Sequence, residues 1–97
     1  MALFVAKHQH EPDTCPAKDP VMGPMLLQHV SRANAAEQFG VNIHGEAVIE
    51  NAHTLYLIVD AEDQAHVEKF MGPFAQVGTA EVLTANPCEV VVGRAAC

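Results

Sequence analysis

The chain has 97 residues, enough for one domain with one core. Hydrophobic residues make up 49% and charged residues 18%, a balance that fits a compact fold and excludes a disordered chain. The formal net charge is -7 with only five Lys and Arg, which excludes wide contact with nucleic-acid phosphates or an anionic membrane surface.

No apolar run approaches the ~20 residues of a membrane helix. MALFVAK at the start is too short for a secretory leader and lacks a cleavage pattern. These features predict a cytoplasmic protein. There the three cysteines stay mostly reduced, which favours thiol or metal roles over disulfides.

Residues 2–8, ALFVAKH, are short, apolar and β-prone and predict a first strand. Residues 7–20, KHQHEPDTCPAKDP, follow as a loop rich in acids and prolines. Asp19-Pro20 is a good helix start, and Gly23-Pro24 offers a second one. From there the chain reads as one helix, with Met22, Leu26, Val30 and Ala33 near one face and Gly40 as its C-cap.

Residues 41–50 and 53–60 predict two strands joined as a hairpin around Asn51-Ala52. Asp60 then caps a second helix, where Val67, Phe70, Met71 and Phe74 form one apolar stripe. Gly72-Pro73 ends or kinks it. TAEVLTA after Gly78 predicts a fourth strand, stopped by Asn86-Pro87. Residues 89–95, EVVVGRA, read as a last short strand or an extended tail.

The predicted order is β-α-β-β-α-β plus a C-terminal strand, within a single domain spanning residues 1–97. This is an α+β class with the split arrangement of the ferredoxin-like fold and an antiparallel sheet. Two-residue closure of the hairpin puts His44, Glu46, Val48, Glu50, His53, Leu55, Leu57 and Val59 on one side. Ile43, Ile49, Tyr56 and Ile58 stand on the other. Neither side is purely polar, and helices cover only one face. The other face calls for a second subunit.

The element order, together with HTLYLIVDAEDQAHVEKFMGPFAQVGTAEV, resembles the small bacterial dimeric α+β barrel proteins. There a strand, a helix with an F-x-x-P-F-like ending and a return strand recur. That superfamily includes cofactor-free monooxygenases, muconolactone-isomerase-like enzymes and metal-binding proteins. The resemblance implies a fold and a homodimer. It implies no one chemistry and transfers no catalytic residue.

The candidate chemistry gathers at one end of the expected sheet. His8 and His10 are two apart in extended chain, so both imidazoles can face one site. Cys15 can fold back toward them. Antiparallel pairing of the first and third strands brings His53 near His8, with Glu50 across the turn. A terminal strand folding back on the fourth would deliver Cys97 to the same rim and leave Cys88 at the far end. Neutral imidazole and thiolate suit a transition metal: Zn, Cu, Ni or Fe. Four of these residues would close a tetrahedral site, and three would leave it open.

The bland reading of the loop is a solvated connection with an incidental thiol. His44 with Glu46 is a candidate acid–base pair in a pocket between sheet and helices, or a plain sheet-face or interface contact. His29 and His66 read as surface residues on helices, and Tyr56 as core or interface. Glu89 beside Cys88 disfavours a thiolate nucleophile there. Three functions follow: a homodimeric metal-binding protein, a cofactor-independent oxygenase or isomerase for a small apolar molecule with His44 as base, and a non-catalytic structural dimer.

Overall fold

The computed structural model describes residues 1–97 as a four-stranded antiparallel sheet with helices packed on one face. The strands are β1 (Ala2–Gln9), β2 (Val41–Ile49), β3 (Thr54–Ala61) and β4 (Thr79–Ala85), in the order β2-β3-β1-β4. β1 is central and pairs with both β3 and β4. Alternation along it turns Phe4, Ala6 and His8 toward the helices. Leu57, Val59 and Ala61 of β3 do the same, and all three are fully buried.

The helical layer is α1 (Met22–His29), α2 (Arg32–Phe39), α3 (Gln64–Phe70) and α4 (Gly72–Ala75). The apolar stripe read from the sequence lies in the core, with Val67 and Phe70 fully buried and Met71 and Phe74 nearly so. Gly72-Pro73 ends α3 and starts the single turn of α4. Gly40 ends α2 in the left-handed region at φ 66°, where its missing Cβ removes the steric penalty.

The single helix expected from Pro20 or Pro24 up to the Gly40 cap is two. Ser31 stops the first and caps the second, its hydroxyl accepting the Asn34 amide at 3.3 Å. The Asn34 side-chain amide donates back to the His29 carbonyl at 2.7 Å, so both open ends are satisfied at the break. The helix starts at Met22, with Val21 in the N-cap position and not Asp19, whose carboxylate accepts the Val21 and Met22 amides at 2.8 and 2.9 Å from one turn earlier. The cap of α3 is Asp63, which accepts the His66 amide, and not Asp60, which stays in β3.

Two differences shape the rest of the molecule. Between Ile43 and Gly45 the β2–β3 register shifts by a bulge. Ile43 faces the core before the bulge, and Glu46 and Val48 face the helical side after it. Residues 89–95 form no fifth strand. Cys88–Gly93 is a short helix, α5, with Pro87 accepting the Val90 and Val91 amides at 3.0 and 3.3 Å. Valine favours strands through packing on a sheet surface, but here the chain turns into a helix after Asn86-Pro87 and leaves the outer edge of β4 unpaired. α5 buries none of its residues.

The helix-free face carries Val5, Ile49, Tyr56, Ile58 and Leu83, and the last four stay 37–47% exposed. No helix is long and apolar enough to cross a membrane.

Candidate metal centre

The end of β1 and the turn between β2 and β3 meet because Gln9 pairs with Thr54. The turn is a four-residue 3-10 connection, Glu50 to His53, and not the two-residue closure expected at Asn51-Ala52. Both loops are even in length, so the faces of the hairpin strands stay as read beyond the bulge. The Thr54 hydroxyl donates to the Ala52 carbonyl at 2.9 Å, and the His10 amide donates to the His53 carbonyl at 3.2 Å. These two bonds pin His53 beside His10. Their ring centroids lie 5.2 Å apart, edge to face.

His53 itself sits in the left-handed region, φ 47° and ψ 46°. For a residue with a Cβ that conformation costs about 1–2 kcal/mol. Strain of this kind gathers at functional sites.

Cys15 arrives from the loop after β1. It lies between two 3-10 turns, Pro12–Thr14 and Pro16–Lys18. Its amide donates to Pro12 and its carbonyl accepts from Lys18, at 3.4 and 3.2 Å. Pro16 is buried and anchors the loop on the helical side of the sheet. The result is that one donor atom from each of His10, Cys15 and His53 lies within 4.8 Å of the other two.

His8 is also here, in a different role. It is only 2% exposed, and both ring nitrogens are engaged. Nδ1 lies 3.0 Å from the Thr79 carbonyl oxygen, which can only accept, so Nδ1 carries the proton. The other nitrogen, Nε2, then holds a lone pair and accepts from Nδ1–H of His10 at 3.1 Å. This order leaves His10 Nε2 as a bare lone pair. That atom is buried and has no hydrogen-bond partner. A buried acceptor without a partner costs about 1–3 kcal/mol and asks for an explanation. Burial, and then the nearby His53 ring, push the His10 pKa down from its ordinary value. Burial also lowers that of His8, against the pull of the Thr79 carbonyl. Both rings are held neutral, the form that coordinates a metal.

The close approach of β4 to β1 depends on Gly78. A Cβ there would sit 2.2 Å from the Gln9 carbonyl oxygen and 3.0 Å from Cε1 of His8. Glycine lets the chain enter β4 near enough for the Thr79 carbonyl to reach His8.

The remaining candidates separate. His44 lies at the bulge, is exposed, and bonds through Nε2 to the Asp60 carboxylate, which also accepts from Asn42 at 2.8 Å. Those two bonds, Asn42 foremost, hold the Asp60 carboxyl below its ordinary range. Glu46 instead lines the pocket on the helical side. The expected His44–Glu46 pair is therefore split between the two faces by one extra residue in β2.

Cys97 is exposed beyond α5 and is not among the converging donors. β4 runs from Gln9 toward Leu3, and with no strand to return, the C-terminus leaves from the end opposite the histidines. Cys88 is exposed as well.

His29, read as a surface residue, is half-buried. Its ring stacks on Phe70 at 4.7 Å and meets Phe39 edge-on, and its Nε2 donates to the Phe70 carbonyl at 2.7 Å. His66 stays on the surface and bonds to Asp63, which raises its pKa.

No family model matches this chain, and neither curated proteins nor solved structures give a match.

Proposed function

We propose that this protein binds a transition metal ion through His10, Cys15 and His53, with His8 as the positioning residue behind His10. The observation that carries the reading is the buried, unpartnered Nε2 of His10, held as a lone pair by the chain from the Thr79 carbonyl through His8, on a residue that converges with two further donor residues. Coordination would remove the cost of leaving that atom unpaired. A second-shell partner on the other ring nitrogen is the usual accompaniment of a histidine ligand. Two imidazoles and a thiolate suit Zn, Cu, Ni or Fe, and three protein donors leave one position open. The activity is that of a small cytoplasmic metal-binding or metal-sensing protein.

We read the β2-β3-β1-β4 order, with helical crossovers after β1 and β3, as the ferredoxin-like split arrangement, and the assembly as a homodimer of the dimeric α+β barrel kind. What supports the dimer is the helix-free sheet face with its exposed Ile49, Tyr56, Ile58 and Leu83.

The test is titration of Zn, Cu(I) and Ni into chelator-stripped protein, followed by displacement assays and thermal melting. His10→Ala, Cys15→Ser and His53→Gly should each remove most of the binding. Cys97→Ser and His66→Ala should leave it unchanged. No binding tighter than about micromolar (about 8 kcal/mol), or equal losses with His66→Ala, would overturn the assignment.

A further inference from the structure

We infer that the open coordination position of this centre faces the apolar pocket beside it and takes a small, uncharged, largely apolar molecule with one nitrogen donor, of the aryl-azole type. The inference rests on the metal reading above. It starts from the shape of the space around the three donors. A pocket of about 430 Å³ lies between the sheet and α1, and His10, Cys15 and His53 all line it. That volume falls in the range of about 300–1,000 Å³ usual for small-molecule sites. A second crevice, of about 420 Å³, reaches His10 and His53 from the other side but not Cys15. The common open side of the three donors is therefore the first pocket, and a fourth ligand on a tetrahedral ion enters from there.

The lining sets the chemistry of that ligand. Leu26 and Leu27 of α1 and Val30 just after it form one wall, Val48 and Leu55 of the sheet form another, and Phe74 closes the inner end. Apart from the histidines and the cysteine, the ionisable side chains on the pocket are Glu46 and Glu50, and no Lys or Arg lines it. The two carboxylates oppose an anionic head group, and nothing cationic compensates. A protonated amine has no lone pair for the ion. A neutral nitrogen donor attached to an apolar ring satisfies both demands: it fills the open position, and its ring replaces water against the leucine and valine walls.

The experiment uses Co(II) as the ion, because its visible spectrum reports its ligands. The Co(II)-loaded protein is titrated with imidazole, 4-phenylimidazole and benzoate. Both azoles should shift the spectrum, with 4-phenylimidazole binding at least about tenfold more tightly than imidazole, from burial of the phenyl ring. Benzoate should bind more weakly than either. Leu27→Asp and Val48→Asp change exposed positions on the two walls, so folding is kept. Each should bring the ratio of the two azoles close to one while Co(II) affinity stays as in the wild type.

A spectrum that no azole moves, with Co(II) bound, means a closed site and overturns the inference while leaving the metal reading intact. Equal affinities for the two azoles, a preference for benzoate, or a ratio untouched by the aspartates also overturns it. Failure to bind Co(II) at all removes the metal reading and the inference with it.

Discussion

Adding one methyl group at Gly78 should weaken both the fold and the proposed metal site, and the geometry gives the size of each effect. The new Cβ of Gly78→Ala would lie 2.2 Å from the Gln9 carbonyl oxygen, where ordinary contact begins at 3.4 Å. The obstacle is backbone in the central strand, so the two chains must part by about an ångström. Overpacking of this kind costs about 1–3 kcal/mol. For a domain of this length each kcal/mol lowers the melting temperature by about 4–8 °C, so a fall of roughly 4–24 °C is expected.

The same Cβ would meet the His8 ring at 3.0 Å, beside the bond from His8 to Thr79. With that bond stretched, the proton order of His8 and His10 is no longer fixed. Loss of such an outer-shell partner lowers metal affinity by about 10–100-fold. Thermal melting of the metal-free protein reads the first effect, and competition with a chelating dye reads the second. An unchanged melting temperature would refute the close approach. A lower melting temperature with wild-type affinity would refute the role given to the Thr79–His8–His10 chain.

His53→Gly should separate strain from ligation: the metal-free variant should melt at or above the wild-type temperature, since glycine relieves about 1 kcal/mol at the left-handed position, while metal affinity is lost. Burial lowers the pKa values of His8 and His10, so for these groups the unfolded chain binds more protons than the folded one between those lowered values and about 6.5; His66, raised by Asp63, works in the opposite sense, so denaturant titrations of His66→Ala across pH 4.5–8 should show stability falling with the pH below about 6.5 and levelling above it. Metal affinity should fall over the same acidic range, because protons compete for the lone pair on His10. Ile58→Arg on the helix-free face should convert a dimer to a monomer of 10.4 kDa by light scattering, with the fold kept; a wild-type protein that is already monomeric at low micromolar concentration would sink the dimer reading.

What the sequence made legible followed from local periodicity. The four strands, the buried stripe from Val67 to Phe74 and the C-cap at Gly40 all come from patterns within one turn or one pleat. The i, i+2 spacing of His8 and His10 correctly placed both rings on one side. Their different roles were not legible, because the Thr79 carbonyl that occupies His8 reaches it across 71 residues.

The bulge after Ile43 left no mark in the composition, and it alone parts His44 from Glu46. Ser31 reads as an ordinary helix residue until its neighbours show that it caps. Valines 90 to 92 favour a strand on propensity, yet they form a helix although the outer edge of β4 is open, since β-propensity yields to context. His29 looked solvated beside Gln28, and its stacking partner Phe70 lies 41 residues on.

X-ray absorption at the zinc edge, on protein loaded with one equivalent of zinc, tests the central claim most directly. A site built from His10, Cys15 and His53 should show a single sulfur at about 2.3 Å and nitrogen or oxygen neighbours at about 2.0–2.1 Å, with coordination number four. Cys15→Ser should remove the sulfur shell and Cys97→Ser should not. A first shell without sulfur, or a sulfur shell that survives Cys15→Ser, would contradict it.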